Sequence, residues 1–375
     1  MELTISKKNF LRGLSRTHAV ADRKSSMPIL SNVLLSTDGP STLRLSATDL
    51  YLGVGATSPA DVKKGGTVAV SARTLFDIVK ALPEGEVRWT VGPNHAAEIR
   101  CGKVRYKIPG MPGEDFPALP SPGNTTFAEL DADVLGELIA RTQYSMSTDD
   151  TRPHLAGALF EGDGKVVRMV TTDGHRLSKA EHRIADGMLN FAMLVPNKGI
   201  AELKRVIEDA KADKKSDDGA VTIGVASAGG NAFFRREGVQ LSVKLADEQF
   251  PPYAKVIPAQ QDRRVVVSRA ALAEALRRIS LVASDKSGGV RLGVEPGVLK
   301  ITSENPDVGE GSEELDVDFA GDPVTIGFNA KYVLDVLGAL SADDVALELS
   351  GELDPGVIKP VNGGDFVGVI MPMRI

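Results

Sequence analysis

Asp173 and His175 stand two residues apart in the string Thr172-Asp173-Gly174-His175-Arg176-Leu177, a carboxylate and an imidazole near enough in sequence for acid–base work. A hydrolase would also need a nucleophile, and none is evident beside them. The five histidines (His18, His95, His154, His175 and His182) are scattered; His175 and His182 lie seven apart with no third ligand evident for a metal. Cys101 is the single cysteine, so it forms no internal disulfide, which fits a reducing compartment. The chain has no GxxxxGK[ST] phosphate loop, no GxGxxG after a strand, and no HExxH, CxxC or GxSxG. Catalysis, a metal and a cofactor are therefore not expected. The chemistry that remains is charge. Lys8, Arg12 and Arg16 recur at i, i+4 and i+8, on one helix face opposite Phe10, Leu11 and Leu14. Arg73 and Lys80 are seven apart, as are Lys198 and Arg205, and Lys204 and Lys211; Arg269 and Arg277 also share a face. Basic side chains on successive helices suit neutralisation of phosphates, a binding mode indifferent to sequence and sensitive to salt. No recognition helix or aromatic-interleaved basic strand is visible, so base readout is not expected.

The elements that must carry these charges repeat three times. A helix with Phe10, Leu11 and Leu14 leads through Pro28-Ile29-Leu30 to the strand 32–36 and a second strand ending at Thr48-Asp49. A helix with Leu135, Leu138 and Ile139 leads to His154-Leu155, the strand 157–160 and a strand ending at Thr172-Asp173. A helix with Leu272, Leu276 and Ile279 leads to Val290, the strand 291–294 and a strand ending at Ser303-Glu304. Each unit continues into a second helix with a basic residue near its start, at Arg73, Lys198 and Lys331. Alternating segments such as Val104 to Ile108 and Val239 to Val243 predict antiparallel strands with one wet face. The chain thus reads as three copies of one α+β domain, at 1–122, 123–252 and 253–375. Pro/Gly-rich segments around Pro109 to Gly123 and Phe250 to Pro258 join them. Asp213 to Gly219 reads as a solvated loop.

The composition agrees with a soluble multidomain chain: 375 residues, 42% apolar and 25% charged. No apolar run approaches a membrane span, and Met1 to Phe10 lacks a signal-peptide core, so neither membrane nor export is expected. Lys and Arg total 44 against 50 Asp and Glu, a net charge of −6, which excludes a uniformly basic nucleic-acid binder. The acid is segregated: Glu304 to Asp322 holds eight carboxylates and no Lys or Arg, while the helices hold the basic groups.

At Thr172 to Leu177, Phe250-Pro251-Pro252-Tyr253 and the terminal Met371-Pro372-Met373-Arg374-Ile375, the chain closely resembles the bacterial DNA polymerase III beta subunits, the sliding clamps. The likeness covers the whole chain and includes Leu82-Pro83-Glu84-Gly85, Gly289-Val290-Arg291-Leu292 and Phe328-Asn329. It implies the DNA clamp fold, with helices inside and antiparallel sheets outside, closing as a homodimeric ring. It also implies a cytoplasmic, non-enzymatic tether for DNA replication. The implied partners are duplex DNA, the DNA polymerase III alpha subunit, the clamp loader delta subunit, other proteins carrying a clamp-binding motif, and a second copy of the chain.

The resemblance also implies residue roles. A pocket for partner peptides falls at Leu155, Thr172, Gly174, His175, Arg176, Leu177, Pro251, Lys255, Val256, Val369, Met371, Pro372, Met373 and Arg374. Lys255 stands where many members carry Arg, and Pro153-His154 where an aromatic pair can occur. DNA contacts are expected at Arg12, Lys24, Arg73, Lys80, Lys198 and Arg205, and the repeat extends them to Arg141, Arg277 and Lys331. Dimer contacts are expected at Ile78, Tyr106, Ile108, Leu281 and Val282. Two other readings compete: a non-ring protein that grips DNA by charge alone, and a hydrolase using Asp173 and His175.

Overall fold

The computed structural model describes residues 1–375 except 23, 150, 186, 214–219, 284–287, 363 and 375. Of the segment read as a solvated loop, Asp213 closes a helix and the rest lies outside the described residues. Among the described residues there are six α-helices: α1 (Lys7–Thr17), α2 (Ala72–Ala81), α3 (Ala132–Thr142), α4 (Asn197–Asp213), α5 (Arg269–Ile279) and α6 (Ala330–Ala339). They coincide with the two helices expected in each repeat. Short polar side chains start them: Ser6, Ser71 and Ser268 accept the N–H of Asn9, Thr74 and Ala271, and Asn329 accepts those of Lys331 and Tyr332. Each cap satisfies one backbone donor that the helix cannot.

Burial follows the apolar stripe. Phe10 and Leu14 are buried on α1, whereas Leu11 is only half-buried. Gly13 lets α1 approach the sheet, since a Cβ there would lie 2.7 Å from Leu45 Cδ1. Helix α1 packs on α2, and α5 on α6.

The sheets do not stop at the repeat boundaries. Contacts divide the chain into two compact units that cut through the middle repeat: Met1–Ala132 with Ala201–Leu245, and Asp133–Ile200 with Ala246–Ile375. The first unit holds a nine-stranded antiparallel sheet in which Leu52–Pro59, from repeat one, pairs with Val239–Lys244, from repeat two. It also holds a five-stranded sheet that ends in Val104–Ile108. The second unit holds an eight-stranded antiparallel sheet in which Arg176–Arg183, from repeat two, pairs with Asp365–Ile370, from repeat three. Its four-stranded sheet has Gly309–Asp316 at one edge and Val324–Asn329 at the other.

The recurring Thr-Asp marker is a turn. Asp173 Oδ1 accepts the N–H groups of His175 and Arg176 at 2.9 and 3.1 Å, and Thr172 Oγ1 donates to the Arg176 carbonyl at 2.7 Å. Asp49 and Thr48 make the same bonds to Tyr51 and Leu52. The intervening residue is left-handed in both, Gly174 at φ 91° and Leu50 at φ 74°. Glycine takes that backbone without strain, whereas leucine there costs of order 1–3 kcal/mol that the bonds around it must offset.

Candidate functional site

The Thr-Asp turn of repeat two delivers Gly174, Arg176 and Leu177 to the rim and floor of an apolar pocket in the second unit. Its lining is His154, Leu155, Thr172, Gly174, Arg176, Leu177, Pro251, Tyr253, Val256, Val369 and Met371. Behind it, Leu177 and Val369 join Val170, Leu194, Phe250 and Val357 in one buried cluster. The walls are thus rigid core, while the mouth has exposed Val256 and Met371.

Arg176 is the one guanidinium in this lining, and it is only 8% exposed. Nε donates to Asp173 Oδ2 at 3.0 Å, Nη1 to Asp335 Oδ2 at 2.5 Å and Nη2 to the Tyr144 carbonyl at 2.6 Å. Its Cζ lies 4.4 Å from the centroid of the Tyr332 ring. A buried charge so paired is tolerated, whereas removing any one partner would leave it short of acceptors. Burial pushes the Tyr144 hydroxyl up to about 12, against the opposing hydrogen bond from Ser178 and the nearby Arg176 charge. That phenol stays neutral throughout the physiological range.

Nine of the fourteen residues expected at the pocket line it: Leu155, Thr172, Gly174, Arg176, Leu177, Pro251, Val256, Val369 and Met371. His175 and Lys255 are exposed beside it and do not line it. Pro372, Met373 and Arg374 are displaced because the tail turns away after Met371. The Met371 N–H donates to the His175 carbonyl, and the Met373 N–H to the Gly327 carbonyl at 2.8 Å. Met373 and Arg374 instead face a polar groove with Arg291, Thr325, Gly327, Glu352 and Leu353. His154 and Tyr253 were not expected as lining. The FPPY string held the signal for Tyr253, whose hydroxyl donates to Glu161 at 3.0 Å.

The hydrolase reading lacks its geometry. Asp173 takes the backbone N–H of His175, not the imidazole, and its other oxygen takes Arg176. Among the described residues no group of three or more His, Cys, Asp and Glu could hold a metal ion. No described helix is long and apolar enough to cross a membrane.

The basic residues separate by exposure. Lys24 and Lys80 are exposed, as are Arg73, Arg205, Arg277 and Lys331, although these last four carry acidic neighbours on their own helices. Lys198 is exposed at the start of α4. Arg12 is half-exposed and paired with Asp213. Arg141 departs from the expectation: its side chain is 11% exposed, bonded to Glu137 at 2.6 Å and packed against Gly364. Arg269 is also withdrawn, because its Nε donates to the Ala342 carbonyl and Nη1 reaches the Leu337 carbonyl.

Arg16 was expected on the wet face with Lys8 and Arg12, yet its side chain is 8% exposed. It bridges Asp209 at 2.8 Å and Asp213 at 2.6 Å, and Arg236 joins the same two carboxylates. Burial pulls the Asp213 carboxyl upward, but hydrogen bonds from Arg236 and Arg12 outweigh it and hold it below the usual range. Glu202, buried near this cluster on α4, is pushed up by burial, only partly opposed by Arg205.

Of the residues expected at a dimer contact, Leu281 is 79% exposed and Tyr106 is exposed on the sheet edge; Ile78 and Val282 are half-buried, and Ile108 is buried.

Three family models match in succession: the DNA polymerase III beta subunit N-terminal domain over residues 1–120, the central domain over 129–252, and the C-terminal domain over 254–374. The beta sliding clamps of Caulobacter vibrioides and Escherichia coli are each 33% identical, with 100% of both chains covered. Among solved structures, a Pseudomonas aeruginosa sliding clamp bound to griselimycin superposes with a TM-score of 0.92 at 32% identity, covering 100% of both chains. A Caulobacter crescentus beta sliding clamp superposes at 0.91 with 31% identity, covering 100% of this chain and 99% of that one. With three family models in succession along the chain and relatives covered from end to end, the chain belongs to the DNA polymerase III beta subunit family.

Proposed function

We propose that two copies of this chain close head to tail into a ring around duplex DNA, and that the pocket of repeats two and three docks the partners the ring carries. The chain is a sliding clamp, a processivity factor with no chemistry of its own. It works in the cytoplasm as three repeats, 1–122, 123–252 and 253–375. The polymerase III alpha subunit, the clamp loader delta subunit and other motif-bearing proteins dock on it. Griselimycin, bound by the Pseudomonas aeruginosa clamp, serves as the probe of the pocket here.

One observation carries ring closure: two sheet edges are left over from a pattern used twice inside the chain. The last strand of repeat two pairs with the fourth strand of repeat one, and the last strand of repeat three with the fourth strand of repeat two. The strands of the same standing that remain are Val104–Ile108, followed in repeat one only by the short Gly110–Pro112, and Gly309–Asp316, the fourth of repeat three; both lie at sheet edges. Pairing them between copies extends both sheets and covers edges that otherwise invite uncontrolled pairing. The register carries over as well. Tyr106 holds the place of Leu241 and Gly368, and Ser312 that of Val54 and Ser178, which sets Tyr106 opposite Ser312 and Arg105 opposite Glu313. Charge agrees: one edge carries Arg105 and Lys107, the other Glu310, Glu313, Glu314 and Asp316. A heterologous contact of this kind forms a closed ring when its rotation closes.

The exposed Lys24, Arg73, Lys80, Lys198, Arg205, Arg277 and Lys331 supply weak, sequence-independent contact with phosphates. Arg141 is left out because its side chain is only 11% exposed. The register is tested by oxidising a Cys101→Ser chain that also carries Tyr106→Cys and Ser312→Cys. A disulfide-linked dimer is expected, and it should be absent when Tyr106→Cys is replaced by Lys107→Cys, which points to the other face. Failure of the first pair to cross-link more than the second would refute the pairing.

A further inference from the structure

Both the floor of the pocket and the exposed start of α6 draw on one oxygen atom. Arg176 Nη1 donates to Asp335 Oδ2 at 2.5 Å, and Lys331 Nζ, one helical turn before Asp335, donates to the same Oδ2 at 2.6 Å. Arg176 lines the pocket and is buried, so it cannot replace a weakened acceptor with water. Lys331 is 72% exposed, so its ammonium can exchange the carboxylate for water or a phosphate at no such cost. The two cations therefore compete unequally for one carboxylate. All three residues lie in the second compact unit.

We infer that Asp335 is a positioning residue that couples phosphate contact at Lys331 to ligand binding in the pocket. This rests on the reading above, in which Lys331 faces DNA and the pocket docks partners. When a phosphate draws Lys331 away, the full charge of Asp335 turns to Arg176 and fixes the guanidinium that floors the pocket. A preorganised floor binds its ligand more tightly. By linkage, a ligand in the pocket strengthens the hold on phosphate by the same factor. The arrangement gives a clamp that holds its partners better once it is on DNA. Asp335 touches no partner itself; it acts through Arg176. The Tyr332 ring, its centroid 4.4 Å from Arg176 Cζ, backs the guanidinium that Asp173 and Asp335 accept from.

The test is calorimetric titration of griselimycin into the full-length protein, as wild type, Lys331→Met, Asp335→Asn and the double variant. Lys331→Met, which mimics the phosphate-engaged state, is expected to tighten binding about fivefold, and Asp335→Asn to weaken it about tenfold, within the usual range of coupling between sites. In the Asp335→Asn background, Lys331→Met should change nothing, which a residue of merely structural importance would not produce. Short duplex DNA at low salt should tighten griselimycin binding to wild type and leave the Lys331→Met value unmoved. Equal effects of Lys331→Met in both backgrounds would overturn the coupling. If Asp335→Asn does not fold, an unchanged affinity in Lys331→Met, whose side chain is exposed, overturns it instead. Griselimycin that fails to bind wild type at all would contradict the docking role of the pocket, a different failure from loss of the coupling.

Discussion

Replacing Ile78 and Leu281 by aspartate should turn the ring into folded monomers. Leu281 is 79% exposed in the single chain, and Ile78 is half-buried on α2, so neither holds the chain's own core together. An apolar side chain of this size contributes about 1.5–3 kcal/mol when a partner covers it. Aspartate forfeits that contribution and adds a carboxylate to be desolvated beside an edge already carrying Glu310, Glu313 and Glu314. Each ring has two such contacts, so even Leu281→Asp alone should weaken closure by about 3–6 kcal/mol, a hundredfold to ten-thousandfold in dissociation constant. Sedimentation velocity at micromolar concentration reads the outcome, with thermal unfolding as the control for folding. Wild type should sediment at twice the chain mass and the double variant at the chain mass, with their unfolding transitions compared at the same concentration because dimerisation itself stabilises. A double variant that keeps the dimeric mass would refute the contact assignment.

The tail separates by residue: Met371→Ala should weaken griselimycin binding about tenfold, the loss of one apolar contact, while Met373→Ala should leave it nearly unchanged by calorimetry. Glu202→Gln should raise the unfolding temperature at pH 7. Burial holds this carboxyl above its usual range, so its contribution is complete at acid pH and is lost as the pH rises through the raised value; the gain should shrink toward pH 4 in a calorimetric series. Charge reversal at Lys24, Arg73, Lys80 and Arg277 should leave the dimer intact, reduce loading onto DNA, and flatten the dependence of duplex binding on salt.

Three of the helices were legible because a cap and a stripe agree: Ser6 before Phe10 and Leu14, Ser71 before Leu75 and Val79, Ser268 before Leu272 and Leu276. The repeat was legible because the same Thr-Asp turn needs the same two side chains, at Thr48-Asp49 and Thr172-Asp173. Arg16 was misplaced because periodicity gives a helix face but not what lies across from it; its partner Asp209 is 193 residues away in sequence. Arg269 was misplaced for the same reason, since the carbonyls it bonds belong to the chain after α6 begins. The continuous sheets escaped notice because alternation specifies which face of a strand is wet and leaves open which strand lies at its edge. Met373 was assigned to the pocket by likeness, and backbone pairing with Gly327 carries it past. Asp335 gave no signal at all, being one acidic residue on an amphipathic helix until Arg176 is placed beside it.

A protein held on DNA only by encircling it must leave once the DNA has ends. The protein is loaded by its clamp loader onto a nicked circular duplex, isolated by gel filtration at a salt concentration that screens phosphate contacts, and the circle is then cut once with a restriction enzyme. A closed ring remains with the circle through the high-salt column and leaves when the DNA acquires ends. Protein that stays on the cut linear DNA, or that leaves the intact circle as soon as salt is raised, would show a charge-driven grip and contradict the ring.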